Sequence, residues 1–157
     1  MKVIDTHCDV LYKMLADDSI RFYDGPGLDV TYGRLKEAGV MMQLFAIFAH
    51  DRDGQATLRD VLRSVDLFNR RILTSPDIVP IRTAGDLQAA AADGRIGAML
   101  TLEGVDGLMG DELYVRTMFD LGVRAIGVTW NYGNWAADGV LEPRQGGFTA
   151  KGKRFVK

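Results

Sequence analysis

Apolar residues run almost without a break through VMMQLFAIF, Val40–Phe48, as they do in parallel strands buried on both faces. Around this segment short apolar runs alternate with helical spacing. Residues 2–6 read as a short buried strand, and Val10–Ala16 as a helix with Leu11, Met14 and Leu15 on one side. Residues 17–27 are polar and contain Gly-Pro-Gly, the mark of a loop. Residues 31–38 form a short helix stopped by Gly39. Over residues 55–73, Leu58, Val61, Leu62, Val65, Phe68 and Ile72 recur every three or four positions, which predicts a long helix with Pro76 just past its end. Residues 78–81 are extended and suit a sheet edge. Thr83 and Asp86 are spaced as a capping box for a helix that runs through the alanines to Asp93 and ends at Gly94. Strands are predicted over 96–102 and 123–129, separated by a helix over 111–121 that Gly122 stops. Residues 131–147 make a long loop rich in Gly and Asn, and Thr149 caps a last helix over 150–157.

Strand and helix alternate throughout, which predicts a parallel sheet with helical crossovers. Four good parallel strands make an arc, not a closed barrel. The last helix has only Phe155 and Val156 to bury, and a strand expected after it does not follow. The pattern fits either a small open sheet or the first half of something larger. One domain with a real core is expected over residues 1–157.

Composition narrows the partners more than the fold. A net charge of -2 with no long basic run gives no footing to nucleic acid or an anionic membrane surface. The single cysteine, Cys8, forms no internal disulfide and fits a reducing compartment. The N-terminus lacks the basic and apolar regions of a signal peptide. No apolar stretch approaches the roughly 20 residues that span a bilayer. Cytoplasm is the expected location.

Candidate chemistry begins in VIDTHCDVLYKML, where Asp5, His7 and Asp9 alternate. Period two puts all three on one face. Unpaired polar groups on a buried face cost several kcal/mol each, roughly, so partners are expected. His7 and Asp9 offer nitrogen and oxygen ligands suited to Zn²⁺; a hydrogen-bonded pair capping the first helix is the other reading. Cys8 points the opposite way and reads as a packed thiol.

Glu103 ends the strand IGAMLTLE on the face of Gly97, Met99 and Thr101. Carboxyl ends of parallel strands gather at one rim, within reach of His7 and Asp9. There a carboxylate can bridge two metal ions that activate water and polarise a carbonyl; a solvated glutamate in a turn is the alternative. Trp130, Asn131 and Tyr132 follow the next strand, with Asn134, Trp135 and Asp138 beyond. Aromatic and amide groups together suit a small polar ligand with an apolar side chain, or hold a surface loop together. Gln43 is a buried amide that needs partners, more simply a core network than direct catalysis. His50 reads as a solvated loop histidine. The glycines between Gly104 and Gly110 lack G-x-G-x-x-G spacing, which leaves a nucleotide site weakly supported.

Taken in order, IDTHCDVLYKM, AGVMMQLFAIF, GRIGAMLTLEGVDGL, GVRAIGVTWNYGNWAADG and GGFTAKGKRFVK resemble the N-terminal half of the membrane (renal) dipeptidase family of zinc metallopeptidases. The resemblance implies half of a TIM-like (β/α)8 barrel, incomplete after the fourth barrel strand and the start of the next helix. It implies a site for two zinc ions that hydrolyses dipeptides. His7 and Asp9 then match ligands of one zinc, and Glu103 the glutamate that bridges both. Asp5 and Gln43 would support these ligands, Asp5 by anchoring the loop rather than by binding metal. Trp130, Asn131 and Tyr132 would shape the substrate pocket, with Trp130 where many members carry a substrate-binding histidine. The family's two later histidines for the second zinc, and a later catalytic aspartate, find no counterpart. The only histidines are His7 and His50, and His50 matches no ligand.

The enzyme expected from this resemblance is a zinc dipeptidase in which a metal-activated water attacks the peptide carbonyl. The competing expectation for these residues alone is an inactive half-barrel whose open edges pair with further copies. Other metal-dependent hydrolases on such barrels more often begin His-x-His, where this chain has Asp9.

Overall fold

The most apolar strand organises the sheet. In a computed structural model that describes residues 2–49 and 56–157, Val40–Phe48 forms β2. It lies between β1 (Val3–Asp5) and β4 (Ile96–Glu103), parallel to both. The far edge of β4 is shared. β3 (Ile78–Pro80) pairs with its first half and β5 (Val123–Gly127) with its second, again parallel. The strands β1, β2, β4 and β5 thus form an arc that does not close into a barrel, with β3 a short addition beside it. The helices are α1 (Val10–Ala16), α2 (Tyr32–Glu37), α3 (Leu58–Leu67), α4 (Ala84–Ala92), α5 (Glu112–Leu121) and α6 (Ala150–Phe155).

Local chemistry sets the boundaries. Thr83 Oγ1 accepts from the Asp86 N–H at 3.1 Å while the Asp86 carboxylate accepts from the Thr83 N–H at 2.8 Å, closing the expected capping box. Gly122 ends α5 at φ 110°, where a Cβ would be strained. Thr149 caps α6 by accepting from the Gly152 N–H.

Three elements differ from the sequence pattern, among them β5, which ends at Gly127 rather than at residue 129. β1 stops at Asp5, so residues 6–9 follow an irregular path. The described part of the long helix is α3 followed by a π-helical turn, Phe68–Ile72; Gln55, its expected start, lies outside the described residues. In that turn the Leu73 N–H donates to Phe68 O, five residues back, at 3.1 Å. The Asn69 side chain donates to Val65 O at 3.0 Å, the carbonyl its own N–H takes in an α-helix.

Register sorts the two faces. Gln43, Phe45 and Ile47 align with Ala98, Leu100 and Leu102. This face forms the main core with Leu11 and Met14 of α1 and Val61 and Val65 of α3, each buried side chain contributing about 1.5–3 kcal/mol. Met42, Leu44, Ala46 and Phe48 align with Gly97, Met99, Thr101 and Glu103 on the other face. There α4 contributes Leu87 and Ala90 to a smaller cluster with Met42 and Leu44. Toward the strand carboxyl ends this second face opens. Thr101 and Glu103 are half-buried, and Ala125 and Gly127 of β5 are exposed.

Gly152 docks α6 on the preceding loop, and a Cβ there would overlap the Ala136 carbonyl. Gly152→Ala is expected to cost about 2–3 kcal/mol and to loosen the Trp135–Phe155 ring contact. Urea unfolding followed by tryptophan fluorescence reads both; an unchanged midpoint would mean that α6 is not held this way.

Candidate metal centre

The segment after β1 keeps its alternation although it is no longer a strand. Asp5 Oδ1 accepts from the His7 N–H at 3.3 Å, a turn that leads the chain out of β1. Cys8 then packs into the main core at 5% exposure, while its carbonyl accepts from the Ala46 N–H of β2 at 3.2 Å. His7 and Asp9, on either side, are exposed. Asp9 sits at the N-cap of α1, but its side chain makes no capping hydrogen bond. The helix-capping reading of the pair is therefore not what the structure shows.

Glu103, at the end of β4, arrives from the other direction. His7 Nε2 lies 3.4 Å from Asp9 Oδ1 and 4.0 Å from Glu103 Oε2. One ligand atom from each residue falls within 4.8 Å of the others, and this is the one group of three metal-ligating side chains found among the described residues. Ligand atoms about 2.0–2.1 Å from a tetrahedral zinc lie about 3.3 Å from each other, which the 3.4 Å His7–Asp9 separation nearly matches.

Partial burial holds the Glu103 carboxyl above the usual carboxylate range; the His7 imidazole pulls it back down, and the Asp9 charge pushes it up again. Two carboxylates converge on one imidazole, so the corner favours a cation. Burial also pushes the Cys8 thiol up to about 12, opposed by a hydrogen bond with the Val10 backbone and reinforced by Asp5 and Asp9. It stays protonated at neutral pH and is neither ligand nor nucleophile.

The other sequence candidates lie as follows. Asp5 is outside the triad and holds the His7 backbone. Gln43 is fully buried on the face opposite Glu103. Its amide donates to Leu44 O at 3.0 Å and to Asp5 O at 3.5 Å, and its Oε1 has no protein partner. β5 ends at Gly127, so Trp130, Asn131 and Tyr132 lie in the loop beyond it. Trp130 is 44% exposed and sets its ring 4.9 Å from that of Phe48. Asn131 O accepts from the Leu141 N–H, and Tyr132 is 65% exposed. Asn134 and Trp135 tie the loop to the turn after β4, donating to Asp106 Oδ2 and Val105 O respectively. His50 lies outside the described residues.

Two residues escaped the sequence reading. Phe48 aligns with Glu103 on the same face, and Tyr12 of α1 places its ring 5.5 Å from Phe48. The signal for Phe48 was its place in the Met42, Leu44, Ala46, Phe48 alternation.

Residues 1–157 match the family described as membrane dipeptidase, peptidase family M19. The chain belongs to the membrane dipeptidase family. Among its curated relatives, dipeptidase aclJ of Aspergillus oryzae (strain ATCC 42149 / RIB 40) is 33% identical over 104 residues, 63% of this chain and 25% of the relative. Dipeptidase AC, a family M19 metallopeptidase, superposes with a TM-score of 0.86 at 22% identity, covering 99% of this chain and 54% of that one. A metallopeptidase from Rhodobacter sphaeroides, liganded with a phosphinate mimic of the dipeptide L-Ala-D-Ala, gives 0.86 at 20% identity, covering 99% and 55%. At such identities these two show a shared fold. The chain spans about half the length of both solved structures and a quarter of the curated relative. No helix among the described residues is long and apolar enough to cross a membrane.

The raised carboxyl of Glu103 has a consequence for the metal-free protein. The folded state binds this proton more tightly than the unfolded state. Its contribution to stability is full below the ordinary carboxylate range and is lost as pH rises through the raised value. Without metal, Glu103→Gln is expected to raise the melting temperature at pH 7, with the gain vanishing near pH 3. A gain of equal size at both pH values would remove the electrostatic cause.

Proposed function

We propose that His7, Asp9 and Glu103 hold zinc, and that this chain provides the metal-bearing part of a barrel that hydrolyses dipeptides. The observation that carries the reading is the convergence of an imidazole and two carboxylates, from the β1–α1 junction and the end of β4, to within 4.8 Å. Zinc bound there supplies Lewis acidity toward a peptide carbonyl and toward water. His7 and Asp9 are about half exposed, which leaves room for substrate and water to approach. Glu103 places a second carboxylate across from them, and in the binuclear arrangement expected from the sequence it bridges to a second ion. No second group of three metal-ligating side chains is found among the described residues. Asp5 fixes the His7 backbone, and Gln43 braces the end of β1 through Asp5 O. Trp130, with Asn131 and Tyr132 beside it, shapes the substrate side of the rim. The dipeptide mimic in the Rhodobacter sphaeroides relative supports the substrate class. The lone thiol fits a reducing, cytoplasmic setting.

Residues 1–157 fold as one domain in this reading. β1 and β5 each pair on one side only among the described strands, and unpaired edges attract further strands. The isolated 157-residue chain is expected to bind fewer than two zinc ions, to self-associate on gel filtration and to leave Ala- and Gly-containing dipeptides intact. Joined to the second half of a family barrel, it is expected to hydrolyse them, with His7→Ala abolishing activity. Hydrolysis that survives His7→Ala, or a chain that takes up no zinc, would contradict the proposal.

A further inference from the structure

A cavity of about 240 Å³ lies between α1 and α3 and shares no residue with the metal-ligating corner. Met14, Leu15 and Leu67 give it an apolar side, and Arg63, Arg70 and Arg71 a cationic one, against which stand Asp18 and Asp66. The π-helical turn after α3 sets this grouping. Arg63 and Leu67 lie one turn apart on α3, and Arg70 and Arg71 lie within Phe68–Ile72. A turn closed five residues back advances less per residue than the roughly 100° of an α-helix, so Arg71 swings back toward the line of Arg63 and Leu67. Turns of this kind recur at functional sites.

The two aspartates leave much of the guanidinium capacity unused, since each arginine carries five N–H donors. Arg71 donates from Nη1 to Asp18 O at 3.0 Å and from Nη2 to Asp18 Oδ1 at 2.6 Å. Arg70 donates from Nε to Asp66 Oδ1 at 2.6 Å. Arg63 makes no hydrogen bond or ion pair among the described residues. The Asp18 and Asp66 side chains are 89% and 60% exposed. Ion pairs this exposed contribute little to stability and give way readily to a more highly charged anion.

We infer that this cavity binds the phosphate monoester of a small organic molecule, with the phosphoryl group on Arg63, Arg70 and Arg71 and the organic body on Met14, Leu15 and Leu67. Planar guanidinium forks match phosphate oxygens two at a time. A carboxylate brings one charge and two oxygens, too few for three forks, whereas a phosphate monoester brings nearly two charges and three terminal oxygens. The apolar side of the cavity adds nothing for a bare anion and favours one that carries a hydrocarbon group. The inference does not rest on the dipeptidase reading.

The test titrates phenyl phosphate and inorganic phosphate calorimetrically into the 157-residue protein, with chelator present so that neither anion meets zinc. Phenyl phosphate is expected to saturate one site per chain and to bind several-fold tighter than inorganic phosphate. Arg63→Gln is expected to weaken both about tenfold, and Arg63→Lys, which keeps the charge and loses the fork, to restore only part of the affinity. Thermal melting verifies that these variants stay folded. No saturable binding, heats matched by potassium chloride at equal ionic strength, or an Arg63→Gln protein that binds as tightly as the parent would overturn the site. Equal affinity for the two phosphates would overturn the organic part of the ligand. Weakening by His7→Ala in place of Arg63→Gln would put the anion at the metal-ligating corner and overturn the assignment to this cavity.

Discussion

One backbone hydrogen bond, from the Ala46 N–H to Cys8 O, holds the candidate site together. β1 is short, and its last residue, Asp5, is level with Gln43 and so with Ala98, five residues before Glu103. At about 3.3 Å per residue, a chain that left the sheet at Asp5 would leave His7 far below the rim. The Cys8–Ala46 bond carries the chain on along β2. Ala46 is level with Thr101, so this bond brings the chain up toward the rim where Glu103 stands, with the buried Cys8 thiol as the anchor. His7 and Asp9 are then forced outward on either side of it.

The convergence has an electrostatic cost that shows in Glu103. Its carboxylate is partly desolvated, and the Asp9 charge works against its ionisation. In a metal-free protein only the His7 imidazole offsets this cost, whereas a divalent cation turns the repulsion between the carboxylates into attraction. The same face is closed lower down by apolar packing against α4 and opens only at the strand ends. Strain and access thus coincide at one rim.

Most of the fold was legible because period and punctuation agreed: β2 and α1 fall where the apolar pattern put them, and Thr83, Gly122 and Thr149 act as written. The alternation of Asp5, His7 and Asp9 was read as a strand, but the strand ends at Asp5, and a turn with an anchored Cys8 preserves the outward facing of His7 and Asp9. Gln43 illustrates a different limit. β2 is apolar on both faces, so the sequence does not say which face an interior amide joins; register places it opposite Glu103. Phe48 and Tyr12 were missed because an aromatic ending an apolar run resembles core until the neighbouring strand is aligned with it. In the π-helical turn after α3 the Asn69 side chain takes a backbone carbonyl, which spacing alone does not reveal.

The central claim is that His7, Asp9 and Glu103 grip one ion jointly. A double-mutant cycle on zinc affinity tests it most directly, with His7→Ala and Glu103→Gln made singly and together. If both residues hold the same ion, each single change removes most of the affinity and the double variant loses little more than either. Losses that simply add, or a Glu103→Gln protein that binds zinc as tightly as the parent, would contradict the shared site.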